Sequence, residues 1–174
     1  MGTKRVGMAR VRSLINENVN QLTARREVVG EVTETAELTA AESGSTIIIS
    51  SNAAAIILTL PAMAKGRNFK FVIGNELTGL NSNKITIQSN GGALAGGEMV
   101  GSVNALYNNG TDLLAATSTA KRGDNHFQLV IDSGAVGNKL FAGSVVELWC
   151  DGQYWYVSGQ LKTDASTTKG EFTG

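Results

Sequence analysis

The apolar residues of this chain come in short alternating runs and never in long ones. Thr46–Ser50 (TIIIS) and Ala55–Leu60 (AIILTL) are β-branched stretches on either side of Ser51-Asn52, and Pro61 ends the second. Asn68–Gly74 (NFKFVIG) sets Phe69 and Phe71 on one side and Lys70 on the other. Lys84–Ser89 (KITIQS) turns Ile85 and Ile87 the same way, and His126–Asp132 (HFQLVID) does so with Phe127, Leu129 and Ile131. Leu113–Thr117 is a further candidate strand, and Asn90–Gly101 (NGGALAGGEMVG) reads as a glycine-rich connection. A period of two, bounded by Gly, Asn, Asp or Ser, is the pattern of half-buried strands. With 21 glycines and one proline in 174 residues, the chain can turn often between them. About eight short strands predict an all-β sandwich or jelly-roll-like barrel. The length suits one domain with a real core.

The last two of these strands lie in Val145–Gly159, VVELWCDGQYWYVSG. Asp151-Gly152 reads as a two-residue type I′ turn, which requires positive φ at both positions. Pairing Cys150 with Gln153 then sets Trp149 opposite Tyr154 and Glu147 opposite Tyr156. One face carries Val146, Leu148, Cys150, Trp155 and Val157, a core pattern. The other carries Val145, Glu147, Trp149, Tyr154, Tyr156 and Ser158. Aromatic rings with polar tips are the chemistry of protein contact surfaces. Glu147, a charge in mid-strand, is expected to hydrogen-bond a tyrosine or to pair across an interface.

The formal net charge is zero, but its distribution is uneven. Residues 1–26 hold Lys4, Arg5, Arg10, Arg12, Arg25 and Arg26 against Glu17. Residues 27–42 hold Glu27, Glu31, Glu34, Glu37 and Glu42 with no basic residue. Such blocks mark attachment segments or a solvated helix and loop. Over residues 8–29, Met8, Val11, Ile15, Val19 and Leu22 fall three or four apart, one narrow apolar stripe of a helix. Three chains joining their stripes would place Asn18 in the seam, a device that fixes register. Residues 1–37 are therefore expected to form a basic helical arm and acidic collar, residues 38–161 the β-domain, and residues 162–174 a flexible polar tail.

Candidates for catalysis are thin. The single cysteine, Cys150, excludes an internal disulfide and a cysteine-based zinc cluster. The single histidine, His126, reads as a strand-end surface residue; no G-x-S-x-G elbow accompanies it. Glu76, Glu98, Asp112, Asp124, Asp132 and Asp151 fall mostly at turns, where acids are common. Gly91-Gly92 and Gly96-Gly97 lack the Lys-Ser/Thr of a phosphate loop. Neither a cofactor, a metal nor a small-molecule substrate is expected. No signal peptide or membrane span is expected either. The basic arm lacks interleaved aromatics, so specific nucleic-acid binding is not expected.

LTAAESGSTIIIS, IILTLPAMAKGRNFKFVIGN, KITIQSNGG, ALAGGEMVGS and GSVVELWCDGQYWYVSG together resemble tailed-bacteriophage virion structural proteins, the capsid decoration (cement) family in particular. The resemblance spans about Leu38 to Gly159. It implies a non-enzymatic, homotrimeric structural protein on the outer surface of the capsid, assembled in the bacterial host cytoplasm. Its partners would be the major capsid protein and itself, and its work the stabilisation of the expanded head. On that expectation Arg5, Arg10, Arg12, Arg25 and Arg26 reach acidic patches of the capsid. Glu147, Trp149, Tyr154 and Tyr156 pack between subunits of the trimer. A tail-fibre or receptor-binding β-module of a phage virion is the alternative.

Overall fold

A computed structural model describes residues 28–50, 55–78, 84–90, 97–108, 113–132, 139–164 and 169–174. Apart from one 3-10 turn at Ala40–Glu42, the regular secondary structure of the described residues is all strand. In order these are β1 (Val28–Val32), β2 (Ala36–Glu37), β3 (Thr46–Ile49), β4 (Ile56–Thr59), β5 (Asn68–Ile73), β6 (Leu77–Thr78) and β7 (Ile85–Gln88). There follow β8 (Met99–Asn108), β9 (Leu113–Ala120), β10 (Gln128–Asp132), β11 (Lys139–Leu140), β12 (Val145–Cys150), β13 (Trp155–Thr163) and β14 (Lys169–Thr173).

They form two mixed sheets packed face to face. The larger runs β1-β3-β5-β12-β13-β11-β6, with β8 paired to β13 and β9 paired to β8. The smaller runs β14-β10-β7-β4-β2. The expected all-β sandwich is therefore what this chain forms, with more strands than the eight read from the sequence.

The first strands are wound rather than folded into hairpins. The chain passes from one sheet to the other and back, so that β1, β3 and β5 lie parallel in the larger sheet. Strands β2, β4 and β7 lie parallel in the smaller. In TIIIS and AIILTL only alternate residues are buried, Ile47 and Ile49 in the first and Ile56, Leu58 and Leu60 in the second, while Ile57 stays exposed; β-branched residues suit a strand on either face. From β7 onward most pairing is antiparallel: β10 on β7, β14 on β10, β12 on β5 and β13 on β12. Strand β8 returns parallel to β13 along its length.

The core is the inward half of each alternation. From the larger sheet come Ile47, Ile49, Phe69, Phe71, Met99, Val103, Leu148, Trp155 and Val157, and from the smaller Ile56, Leu58, Ile85, Ile87, Leu129 and Ile131, all buried. Phe69 lies 6.3 Å from Phe71 and 6.0 Å from Trp155 between ring centroids, an aromatic centre under the hairpin. Gly101, in β8, has φ +146°, and a Cβ there would lie 1.9 Å from the carbonyl oxygen of Val157. Only glycine lets β8 lie against β13 at that point.

Several expectations are corrected. The body, expected from residue 38, already includes Val28–Glu37, because β1 and β2 belong to the two sheets. Val28 and Val29, expected to end a helix over 8–29, are strand residues; the rest of that helix lies outside the described residues. Met99–Gly101, read as part of a glycine-rich connection, opens β8. The segment read as a flexible tail is structural: β13 continues to Thr163, and β14 pairs with β10 and buries Phe172. Its polar composition concealed this because β14 offers the core one large side chain only. Gly170 beside it faces Val103 and Leu129, where a Cβ would be crowded at 3.0 Å.

Candidate functional site

The outer face of the larger sheet at its hairpin end carries the most organised surface chemistry in the described chain. Strands β12 and β13 pair as Cys150 with Trp155, Trp149 with Tyr156, Leu148 with Val157 and Glu147 with Ser158. The loop between them is thus four residues, Asp151–Tyr154, rather than two. The shift is two positions, so every side chain keeps its expected face. Val146, Leu148, Cys150, Trp155 and Val157 are buried, while Glu147 and Trp149 are exposed.

Asp151 explains the longer loop. Its Oδ1 accepts hydrogen bonds from the backbone N–H of Gln153 (2.8 Å) and of Tyr154 (2.9 Å), an Asx turn. Gly152 has φ +101°, but Asp151 does not adopt positive φ, so the type I′ turn does not form. The hydroxyl of Tyr156 donates to Asp151 Oδ2 at 2.9 Å. The two backbone donors, then the Tyr156 hydroxyl and the charge of Arg122, hold the Asp151 carboxyl below its ordinary value.

Arg122 closes the cluster from the turn after β9. Its guanidinium donates to the Tyr156 hydroxyl and lies 4.7 Å from the centroid of Tyr154, a cation–π contact. The hydrogen bond to Tyr156 raises the Arg122 pKa further. Trp149 stacks on Tyr156 across the strand pair, 5.8 Å between centroids with 14° between planes. Tyr154 meets Tyr156 edge-on at 6.4 Å. Trp149 stays 46% exposed.

On the other side of Trp149 the face opens into a groove of about 310 Å³. Gly44, Ser45 and Thr46 form one wall, Asn68 and Lys70 lie along β5, and Glu147 and Trp149 lie along β12. Strands β5 and β12 pair Glu147 with Lys70 and Trp149 with Asn68. The Lys70 ammonium sits 3.0 Å from Glu147 Oε1, an ion pair with both side chains about half exposed.

Glu147 therefore has its partner within its own chain. The expected tyrosine does not supply it: the register places Ser158, not Tyr156, opposite it. The structure brings Trp149, Tyr154 and Tyr156 into one ladder and places Glu147 beside it, in the groove. Arg5, Arg10, Arg12, Arg25 and Arg26 lie outside the described residues.

Two members of the site escape sequence reasoning. Arg122 joins the tyrosines only because β8 and β9 carry its turn alongside β13: Val100 pairs with Tyr156, and Gly101 with Ala120. Lys70 had one visible signal, its outward place between Phe69 and Phe71. Its pairing with Glu147 depends on β5 lying beside β12.

The other acids have structural work. Glu98 Oε1 accepts from the backbone N–H of Gly123 (2.5 Å) and of Asn125 (3.3 Å), and Asp124 from Lys121 (2.8 Å). Asp132 pairs with Lys84 and Glu76 with Lys139. His126 is half-buried just before β10, its ring 6.5 Å from that of Phe172. Cys150 is buried, its Sγ accepting from the Gly152 N–H. Among the described residues no group of three or more His, Cys, Asp or Glu is placed to hold a metal, and no helix is long and apolar enough to cross a membrane. Comparison with protein-family models, curated proteins and solved structures finds no match.

Proposed function

We propose that this chain is a non-enzymatic structural protein of a phage virion, a capsid decoration protein that binds the major capsid protein lattice as a homotrimer and stabilises the expanded head. The observation that supports binding rather than catalysis is the commitment of the acids. Glu76, Glu98, Asp124, Asp132, Glu147 and Asp151 each serve a turn or an ion pair. A rigid sandwich with one worked aromatic face suits recognition. The resemblance of the strand body to phage virion proteins supports placing it in a virion.

The basic segment 1–26 joins the body at β1, the rim strand of the larger sheet, which suits an attachment arm. Its arginines would meet acidic patches on the capsid. A trimer makes each such contact three times, and linking modest contacts multiplies avidity by roughly 10²–10⁴. Closed threefold symmetry uses one surface pair repeatedly. Because Lys70 neutralises Glu147 within the chain, the hairpin face is not obliged to seek a partner subunit, and we place it outward on the particle.

The test is co-sedimentation of the full chain with expanded heads, beside a variant lacking residues 1–26. The full chain is expected to bind in a salt-sensitive manner, and the truncated chain to bind much more weakly. Equal binding of both at raised salt would remove the arm from the mechanism. The tail-fibre or receptor-binding alternative is favoured by one observation, the open groove beside Trp149. Copy number separates the two: decoration covers the shell, whereas a tail part is confined to one vertex.

A further inference from the structure

We propose that the groove beside Trp149 is a carbohydrate-binding site, with the indole as the platform for the apolar face of a pyranose ring. Such a site would serve on a shell or at a tail alike, since it is built from the groove alone.

A sugar ring is amphipathic. One face presents aliphatic C–H groups, and the rim presents hydroxyls that both donate and accept. A site for it needs a flat, exposed aromatic surface held rigidly, with polar groups of both kinds at the edge. Trp149 supplies the surface: it is one of two large hydrophobic side chains exposed among the described residues. Its orientation is fixed by stacking on Tyr156, which is itself tied to Asp151 and Arg122. Little side-chain freedom remains to be lost when a ligand arrives.

The rim is equally suited. Glu147 accepts, the Lys70 ammonium donates, and the Asn68 amide and Thr46 hydroxyl do both. Asn68 Nδ2 donates to the Gly66 carbonyl, which fixes the amide with its oxygen as the remaining acceptor. The Lys70–Glu147 pair is half exposed, so both charges retain capacity for hydroxyls. A volume of about 310 Å³ accommodates one to two rings of an oligosaccharide, at the lower end of small-molecule sites.

An apolar peptide is the weaker fit, since the groove rim carries an ion pair that such a ligand would desolvate without replacing its water. A nucleobase would also stack on the indole. However, the groove has acid and base in balance and no excess of positive charge for a phosphate.

The experiment is an array of immobilised neutral and acidic oligosaccharides probed with the full chain, followed by titration of the strongest hit while tryptophan emission is recorded. Trp155 is buried and Trp149 exposed, so ligand-dependent emission reports the groove. Trp149→Ala is expected to weaken binding roughly tenfold or more and Trp149→Phe to retain part of it, with the trimer intact by light scattering. Glu147→Gln is expected to alter which sugars bind while Trp155 emission stays unchanged, which excludes misfolding as the cause. The proposal is overturned by an array on which the full chain binds nothing, or by binding that Trp149→Ala leaves unchanged. It is also overturned if Trp149→Ala dissolves the trimer, which would make this face a subunit contact.

Discussion

Asp151 does for the hairpin what a type I′ turn was expected to do. Its carboxylate gathers two backbone N–H groups and one tyrosine hydroxyl, so it, not backbone conformation alone, sets the loop. Its pKa is lowered in the folded chain, chiefly by the Gln153 and Tyr154 backbone donors. A depressed carboxylate stabilises the fold fully above its unfolded value, near 3.8 for this residue type, and loses that contribution as pH falls through the folded value. Acidification below about pH 4 should therefore loosen the loop before the sheet. The protection of the Gln153 and Tyr154 amides against exchange, relative to the intrinsic rate at each pH, should fall over that range in the native chain and be largely independent of pH in Asp151→Asn. A native chain whose loop protection ignores pH would remove Asp151 from this role.

Gly101 is a second position where one residue decides the structure. Its φ and the 1.9 Å approach to Val157 leave no room for a side chain. Gly101→Ala is expected to cost at least about 3 kcal/mol or to prevent folding, read by denaturant unfolding. Nothing in the sequence singled this glycine out from its neighbours in the glycine-rich run. Its constraint comes from β13, far along the chain.

Strand existence was legible where β-branched or aromatic residues alternated without a glycine among them. Strands β3, β4, β5, β7, β10, β12 and β13 all lie where TIIIS, AIILTL, NFKFVIG, KITIQS, HFQLVID and the hairpin predicted them. The strands that were missed are of two kinds: β2, β6 and β11 are two residues long and β14 buries one large side chain, whereas β1 and the ten-residue β8, which buries Met99, Val103 and Ala105, are interrupted by glycine. The winding of the first strands between two sheets was also hidden, because period two reports which face is buried and not which strand lies alongside. The faces of the hairpin survived an error in its register only because that error was even. Phe172 tests the largest of these corrections. Phe172→Ala is expected to lower stability by about 3 kcal/mol, since a buried ring is lost between the sheets. A flexible tail would give a change near zero in the same denaturation experiment.

For the molecule as a whole, the division of labour is between a closed body and what it presents. The body commits Glu76, Glu98, Asp124, Asp132, Glu147 and Asp151 to turns and ion pairs, Phe69, Phe71 and Trp155 to the core, and Trp149, Tyr154 and Tyr156 to one outer face. Of the site, Trp149, Tyr154, Tyr156 and Glu147 were visible in the sequence as a cluster on one strand face. Arg122, Lys70 and the groove were not, because they come from strands and turns brought alongside by the fold. The proposed role in the virion requires the arm and the threefold repetition of the body.

The most direct measurement is the addition of the purified full chain to expanded heads that lack it. Bound copies would be located by cryo-electron microscopy and particle integrity followed on heating. Decoration predicts trimers occupying lattice positions over the whole shell and a higher temperature of DNA release. Absence of binding, occupancy confined to the tail vertex, or full occupancy with no gain in head stability would contradict it.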